Sequence, residues 1–206
     1  LQVIISGPHN LAAYFTDLLP LLAATGQDTG LFKNCSILGF SYRLFTDHLY
    51  SAPLLESPPL AVLTRLALSL LVAGLTLYAL TRGHGAAQPH AGRRFDLAFA
   101  LMLVTALLLG PTLWVSGMPP LLLAYYLALR RRGQRMHRSL YWLSFAVVSL
   151  YFPLLLAVQP ERKLPALVLS LGFFGVLALW ASLAHELIRL QAQADSASPV
   201  IDPGHP

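Results

Sequence analysis

The sequence predicts an all-α protein, a polytopic membrane helical bundle with an amphipathic outer-face helical segment. Three observations predict it. Of 206 residues, 56% are hydrophobic and only 11% charged, where a soluble domain carries about 25% charged residues. That much apolar surface exceeds what one soluble core of this size can bury, and the mean hydropathy of +0.62 agrees. Finally, apolar runs long enough to cross a bilayer alternate with short polar or basic turns.

Three regions follow: an outer-face amphipathic segment over 1–59, a transmembrane bundle of about five crossings over 60–190, and a disordered cytoplasmic tail over 191–206. Within the first region, Asn10 is a plausible N-cap for a helix to Thr25, with Leu11, Tyr14, Phe15, Leu18, Leu19 and Leu22 on one face. A polar break at Gly26–Gly30 precedes a second one-sided stretch, LFKNCSILGFSYRLF. Both stretches are too polar to span and too apolar for a loop, so they are expected at the interface or over a cavity.

The apolar run 60–81, interrupted by Arg65, gives roughly 33 Å of helix and is the first crossing. The second is 96–113, broken at Gly110-Pro111, and a tight reversal around Trp114 is delimited by Gly117, Pro119 and Pro120. The return helix, 118–130, reaches only about 20 Å, so irregular backbone must accompany it, which membranes tolerate only when it is buried in protein or lines a wet cavity. Crossings at 139–158 and 164–188 complete the bundle.

The net charge of +5 would suggest nucleic acid in a soluble protein. Here the arginines sit between apolar runs, so a membrane asymmetry is the simpler reading and no nucleic-acid partner is expected. One side of the bundle collects nine basic residues: Arg82, Arg93, Arg94, the five arginines of 130–138, and Arg189. The other collects four: Lys33, Arg43, Arg162 and Lys163. The basic side is therefore cytoplasmic, with the C-terminus, and the segment 7–57, the reversal 110–120 and the loop 159–163 share the outer face. The location expected is a plasma membrane, the inner membrane of a bacterium, with multi-pass topology. The chain begins at Leu1 and reads as the C-terminal part of something longer.

Candidate chemistry gathers on the outer face. Asn34-Cys35-Ser36 is either an N-glycosylation acceptor or a pair of polar side chains, Asn34 and Ser36, in a pocket. Arg43 and Arg65 are either phosphate-binding cations or snorkelling arginines. Trp114 is a belt anchor or a pocket-lining ring. His48, beside Asp47, has the chemistry of a general base, and an exposed loop pair is the alternative. His185-Glu186 is not a zinc-protease motif, because position 189 is Arg where a second His is required. Gly83-His84-Gly85 lacks the spacing and Lys of a phosphate loop, no serine nucleophile elbow is present, and the seven His are scattered. No metal or cofactor is expected.

The stretch Gly30-Leu31-Phe32-Lys33-Asn34-Cys35-Ser36-Ile37-Leu38-Gly39-Phe40, leading into Arg43-Leu44-Phe45, is similar to an Asn-x-Ser-centred segment of glycosyltransferase family 87. Leu107 to Leu122, with Gly110-Pro111 and Trp114 between apolar runs, resembles a later segment of the same family. These are GT-C membrane enzymes that use polyprenol-phosphate sugars, typically mannose. The resemblance implies a hexosyltransferase whose partners are a polyprenyl-phosphate sugar donor, membrane lipids, and a glycan or glycolipid acceptor. It carries Asn34, Ser36 and Arg43 over as polar and phosphate-side contacts, and Arg65 and Trp114 complete the expected substrate-binding set. Two departures stand out. Trp114 is followed by Val115-Ser116-Gly117-Met118, without the family's His, and no position matches the family's catalytic aspartate. Catalysis on this reading needs a preceding half. The competing expectation is a non-catalytic multi-pass protein, such as a transporter or assembly subunit, or an inactive fragment. The spans hold mainly small hydroxyls, Ser69, Thr105, Ser144, Ser149, Ser170 and Ser182, each able to bond back to its own helix.

Overall fold

A computed structural model describes residues 16, 33–48, 50–82, 91–111, 113, 119–130, 138–157 and 163–197. The order is α1 (Ile37–Phe45), β1 (Ser51–Ala52), α2 (Pro58–Thr81), α3 (Ala91–Leu109), α4 (Pro119–Leu129), α5 (Arg138–Ala157), β2 (Leu164–Pro165), α6 (Ala166–Leu169) and α7 (Leu171–Ala197). The described chain is mostly helical, as expected. The amphipathic stretch 10–25 lies outside the described residues, apart from Thr16.

Local chemistry sets the ends. Ser36 caps α1, its Oγ accepting from Gly39 N at 3.3 Å. Pro58 and Pro59 open α2, where the missing N–H groups would have had no helical acceptor. α3 closes with Gly110 N on Ala106 O, and Pro111 cannot continue the ladder. α3 also starts at Ala91, five residues before the expected start, and so takes Arg93, Arg94 and Asp96 into its first turns.

α7 is the axis of the bundle. Phe173, Val176, Trp180, Leu183, Leu187 and Leu190 are buried at alternating three- and four-residue spacing, the seam that packs helices at shallow angles. α2, α3 and α5 pack against it. α5 approaches closely at Gly172 and Gly175: a Cβ on Gly172 would lie 2.6 Å from both Cys35 Sγ and the Tyr151 ring, and one on Gly175 would lie 2.7 Å from Val148. At mid-height, Trp180 Nε1 donates to Thr76 Oγ1 at 2.9 Å and Thr105 Oγ1 at 3.2 Å, which ties α7 to α2 and α3. Ser144 departs from the expectation of back-bonding. It donates to Gly175 O at 2.6 Å on α7, and it meets Tyr125 OH of α4 at 2.6 Å. Thr105 and Ser182 do bond to the carbonyl four residues back.

Among the described residues two helices are long and apolar enough to cross a membrane: α2, and α7 over Leu171–Gln193. Of the other expected crossings, α3 carries three charged residues near its start and α4 has 11 residues, whereas α5 is a 20-residue helix whose one charged residue is Arg138. The run expected at 164–188 is interrupted at Ser170, between α6 and α7. At the far end α7 continues to Ala197, into the stretch expected to be disordered. Buried Gln191 anchors that extension, its Nε2 donating to Ala79 O of α2 at 3.0 Å.

α2 and α7 differ in what surrounds them. α7 is mostly buried, whereas α2 is mostly exposed, with Leu63 at 63%, Leu70 at 73% and Leu77 at 62%. So much contiguous apolar surface marks a face made for lipid or another protein.

Candidate functional site

At the end of the bundle where α2 begins, two irregular segments, the loop before α1 and the segment after α3, meet at Asn34. Its Oδ1 accepts from Ser36 N and from Leu113 N, both at 3.0 Å. Its Nδ2 donates to Pro111 O at 3.1 Å, 77 residues away in sequence. Cys35 N adds a bond to Leu113 O at 2.9 Å. One amide side chain thus clamps the segment after α3 to the loop before α1. Gly39 makes room for it, because a Cβ there would lie 2.6 Å from Asn34 O.

Arg43 lies beneath this clamp and is 0% exposed. Its Nη1 donates to Asn34 O at 2.6 Å and its Nε to Ser170 Oγ at 3.1 Å, with Ser170 in turn donating to Ala166 O at 2.7 Å. Both acceptors are neutral oxygens. Burial holds the Arg43 pKa below its ordinary value, with the neighbouring Tyr151 and Cys35 acting in the other direction. Burial also pushes the Cys35 thiol up to about 11, with Arg43 opposing. The Phe40 ring stacks on Phe173 at 4.3 Å and completes the contact between α1 and α7.

The loops around the clamp are joined as well. Ser51–Ala52 pairs in parallel with Leu164–Pro165, and Leu164 N bonds Tyr50 O at 3.1 Å. Lys163 donates to both Asp47 oxygens, at 2.6 and 2.8 Å. That bond is the main cause holding the Asp47 carboxyl below its ordinary range. His48 Nε2 meets Thr46 Oγ1 at 2.8 Å, and burial lowers its pKa despite the adjacent Asp47. The three segments expected on one side of the bundle, around Asn34, Pro111 and Lys163, do meet at one end.

Of the expected site residues, Asn34, Ser36 and Arg43 come together, and the bonds named here run to protein groups. All three side chains are buried, and their bonds turn inward to the protein. Arg65 stands apart, exposed on α2, and Trp114 lies outside the described residues. Ser170, Gly39 and Gly172 were missed. A serine followed by a glycine within an apolar run was the available signal, but nothing in it points to Arg43, 127 residues away.

The opposite end is built differently. Arg93 Nη2 donates to Glu186 Oε1 at 2.5 Å, and Arg189 Nε lies 3.5 Å from Oε2 of the same buried carboxylate. Arg94 caps the end of α2, its Nη2 donating to Arg82 O at 2.7 Å. His185-Glu186, unsuited to zinc, supplies an ion pair.

No protein-family model matches this chain, and no curated protein or solved structure matches it.

Proposed function

We propose that the chain is the C-terminal portion of a multi-pass membrane glycosyltransferase. On this reading it transfers a sugar, mannose by resemblance, from a polyprenyl phosphate to a glycan or glycolipid acceptor at the outer face of a plasma membrane. The C-terminus is cytoplasmic. The observation that carries the reading is the Asn34 clamp, because it joins the two stretches, 30–45 and 107–122, on which the family resemblance rests. The exposed leucines of α2 support the membrane setting, since bilayer is the solvent in which such a face carries no cost.

In this reading Asn34, Ser36 and Arg43 are positioning residues. Asn34 fixes the backbone at Pro111 and Leu113, while Ser36 and Arg43 hold the loop and helix that carry Asn34. A base from the preceding half activates the acceptor hydroxyl, and cations stabilise the departing lipid phosphate. The test is sugar transfer in membranes from a radiolabelled polyprenyl-phosphate sugar by the full-length protein. Asn34→Ala is expected to lower kcat with normal membrane insertion. Unchanged transfer by an active full-length protein carrying Asn34→Ala removes the assignment.

A further inference from the structure

Three leucines of α2 stand seven residues apart: Leu63, Leu70 and Leu77. They are also the three most exposed large apolar side chains of that helix. Between and after them, again seven apart, come the small residues Ala67, Gly74 and Thr81, all exposed. From Leu63 to Thr81 these positions step by four and three residues in turn, the repeat of a left-handed helix pair. α7 carries the same kind of spacing from Phe173 to Leu190, and there the bundle covers it. On α2 the seam faces outward, away from the buried Ala61, Val72, Thr76 and Ala79.

Gly74 points the same way. Glycine inside a helix is less favourable than alanine, and the fold gives it no inward reason: a Cβ on Gly74 would meet nothing within 4 Å. Gly172 and Gly175 differ, because a Cβ on either would strike α5. In membranes a small residue on an open face lets a helix from outside come close.

The seam suits a second copy of this chain. Copies of one chain enter a membrane in one orientation, so a two-fold pair sets the two α2 helices parallel. In a parallel pair each seam position faces its own counterpart. Leu63, Leu70 and Leu77 then form leucine layers, and Ala67 and Gly74 between them bring the backbones together. Charge agrees. Arg65, the one charged residue of α2, lies nine residues before Gly74, about two and a half turns, and so on the far side of the helix from the seam. Two copies therefore meet without opposing arginines. The Thr81 hydroxyl bonds back to Leu77 O at 2.9 Å, within its own helix.

We propose that the outward seam of α2 is a dimer interface, joining two copies of this chain through a parallel, left-handed pair of α2 helices. The inference rests on the membrane setting read above and not on sugar transfer.

The test is disulfide cross-linking of the full-length protein in native membranes, with single cysteines placed along α2. Cys35 is buried, so the protein without an added cysteine gives the background. Dimers are expected with Leu63→Cys, Leu70→Cys, Gly74→Cys and Leu77→Cys. Their yield should exceed by about tenfold that of Val62→Cys and Leu75→Cys, which are exposed but each about 100° round the helix from a seam residue. Sedimentation equilibrium in detergent gives a second measurement. Gly74→Leu is expected to weaken the dimer Kd by about tenfold, and Leu75→Ala to leave it unchanged. Because the added side chain at Gly74 enters open space within one copy, its effect reports the contact between copies. Equal cross-linking all round the exposed face overturns the inference, as does a Kd that Gly74→Leu does not move, or a cross-linked product holding a different protein in place of the second copy. An inserted protein without seam cross-links overturns this inference alone, whereas a protein that alkaline carbonate strips from the membrane overturns the membrane setting with it.

Discussion

The two ends of the bundle hold their helices together by different means. Around Asn34 the joints are hydrogen bonds to backbone groups of irregular segments, with a buried guanidinium resting on neutral oxygens. Around Glu186 the joints are charges placed on regular helices, with Arg93 and Arg189 on one carboxylate and Arg94 on the last carbonyls of α2. Bonds to backbone fix where a loop lies to within a few tenths of an ångström. Ion pairs between helix side chains hold elements together and tolerate rotation of the long side chains. The difference teaches where geometry matters: the Asn34 end is built for position and the Glu186 end for cohesion.

The contrast can be broken most severely at Arg43. Arg43→Ala strands Asn34 O and Ser170 Oγ and leaves a void, so a loss of about 3–5 kcal/mol is expected in denaturant unfolding in detergent. Gly172→Ala forces a methyl against Cys35 Sγ and Tyr151 and should cost about 1–3 kcal/mol by the same measurement. Pairing it with Cys35→Ala, which removes one of the two obstructions, should recover part of that loss. At the other end, Glu186→Gln keeps an acceptor for Arg93 while removing the charge, and a smaller loss of about 1–2 kcal/mol is expected. The exposed Asp47–Lys163 pair ranks last, and Lys163→Ala should leave the Tm within error.

The titrations sharpen the same comparison. The Asp47 carboxyl is held low, so its contribution is complete above the ordinary carboxylate range and fades as pH falls through the lowered folded-state value. Cys35 runs the other way. Its folded-state pKa is raised from 9.0 to about 11, so the stability it reflects is complete below 9.0 and is lost as pH rises towards 11. Unfolding followed from pH 8 to 11 should therefore show a decline in the wild type that Cys35→Ala lacks.

Much of the helical layout was legible in the sequence, because Pro58-Pro59, Gly110-Pro111 and Pro119-Pro120 punctuate apolar runs directly. The grouping of Asn34, Pro111 and Lys163 at one end also followed from counting apolar runs and turns. The start of α3 was not legible. Arg93 and Arg94 read as turn residues until Glu186, 93 positions after Arg93, is known to lie beside Arg93. The partners of Asn34 were not legible for a related reason. An Asn-x-Ser triplet gives no sign of them, and only the fold brings Leu113 N and Pro111 O to its side chain. The break at Ser170 was hidden inside an apolar run, because Arg43 is what gives that serine its purpose.

The clamp can be read directly through Cys35, the one cysteine in the chain. It is buried, its N–H is bonded to Leu113 O, and its thiol stays protonated near neutral pH. The measurement is the rate of maleimide labelling of Cys35 at pH 7.5 in detergent for the wild type, Asn34→Ala and Glu186→Gln. The account predicts slow labelling in the wild type, acceleration of about tenfold or more in Asn34→Ala, and little change in Glu186→Gln. Equal rates in all three proteins, or equal acceleration by both substitutions, would contradict the claim that Asn34 holds this end in place.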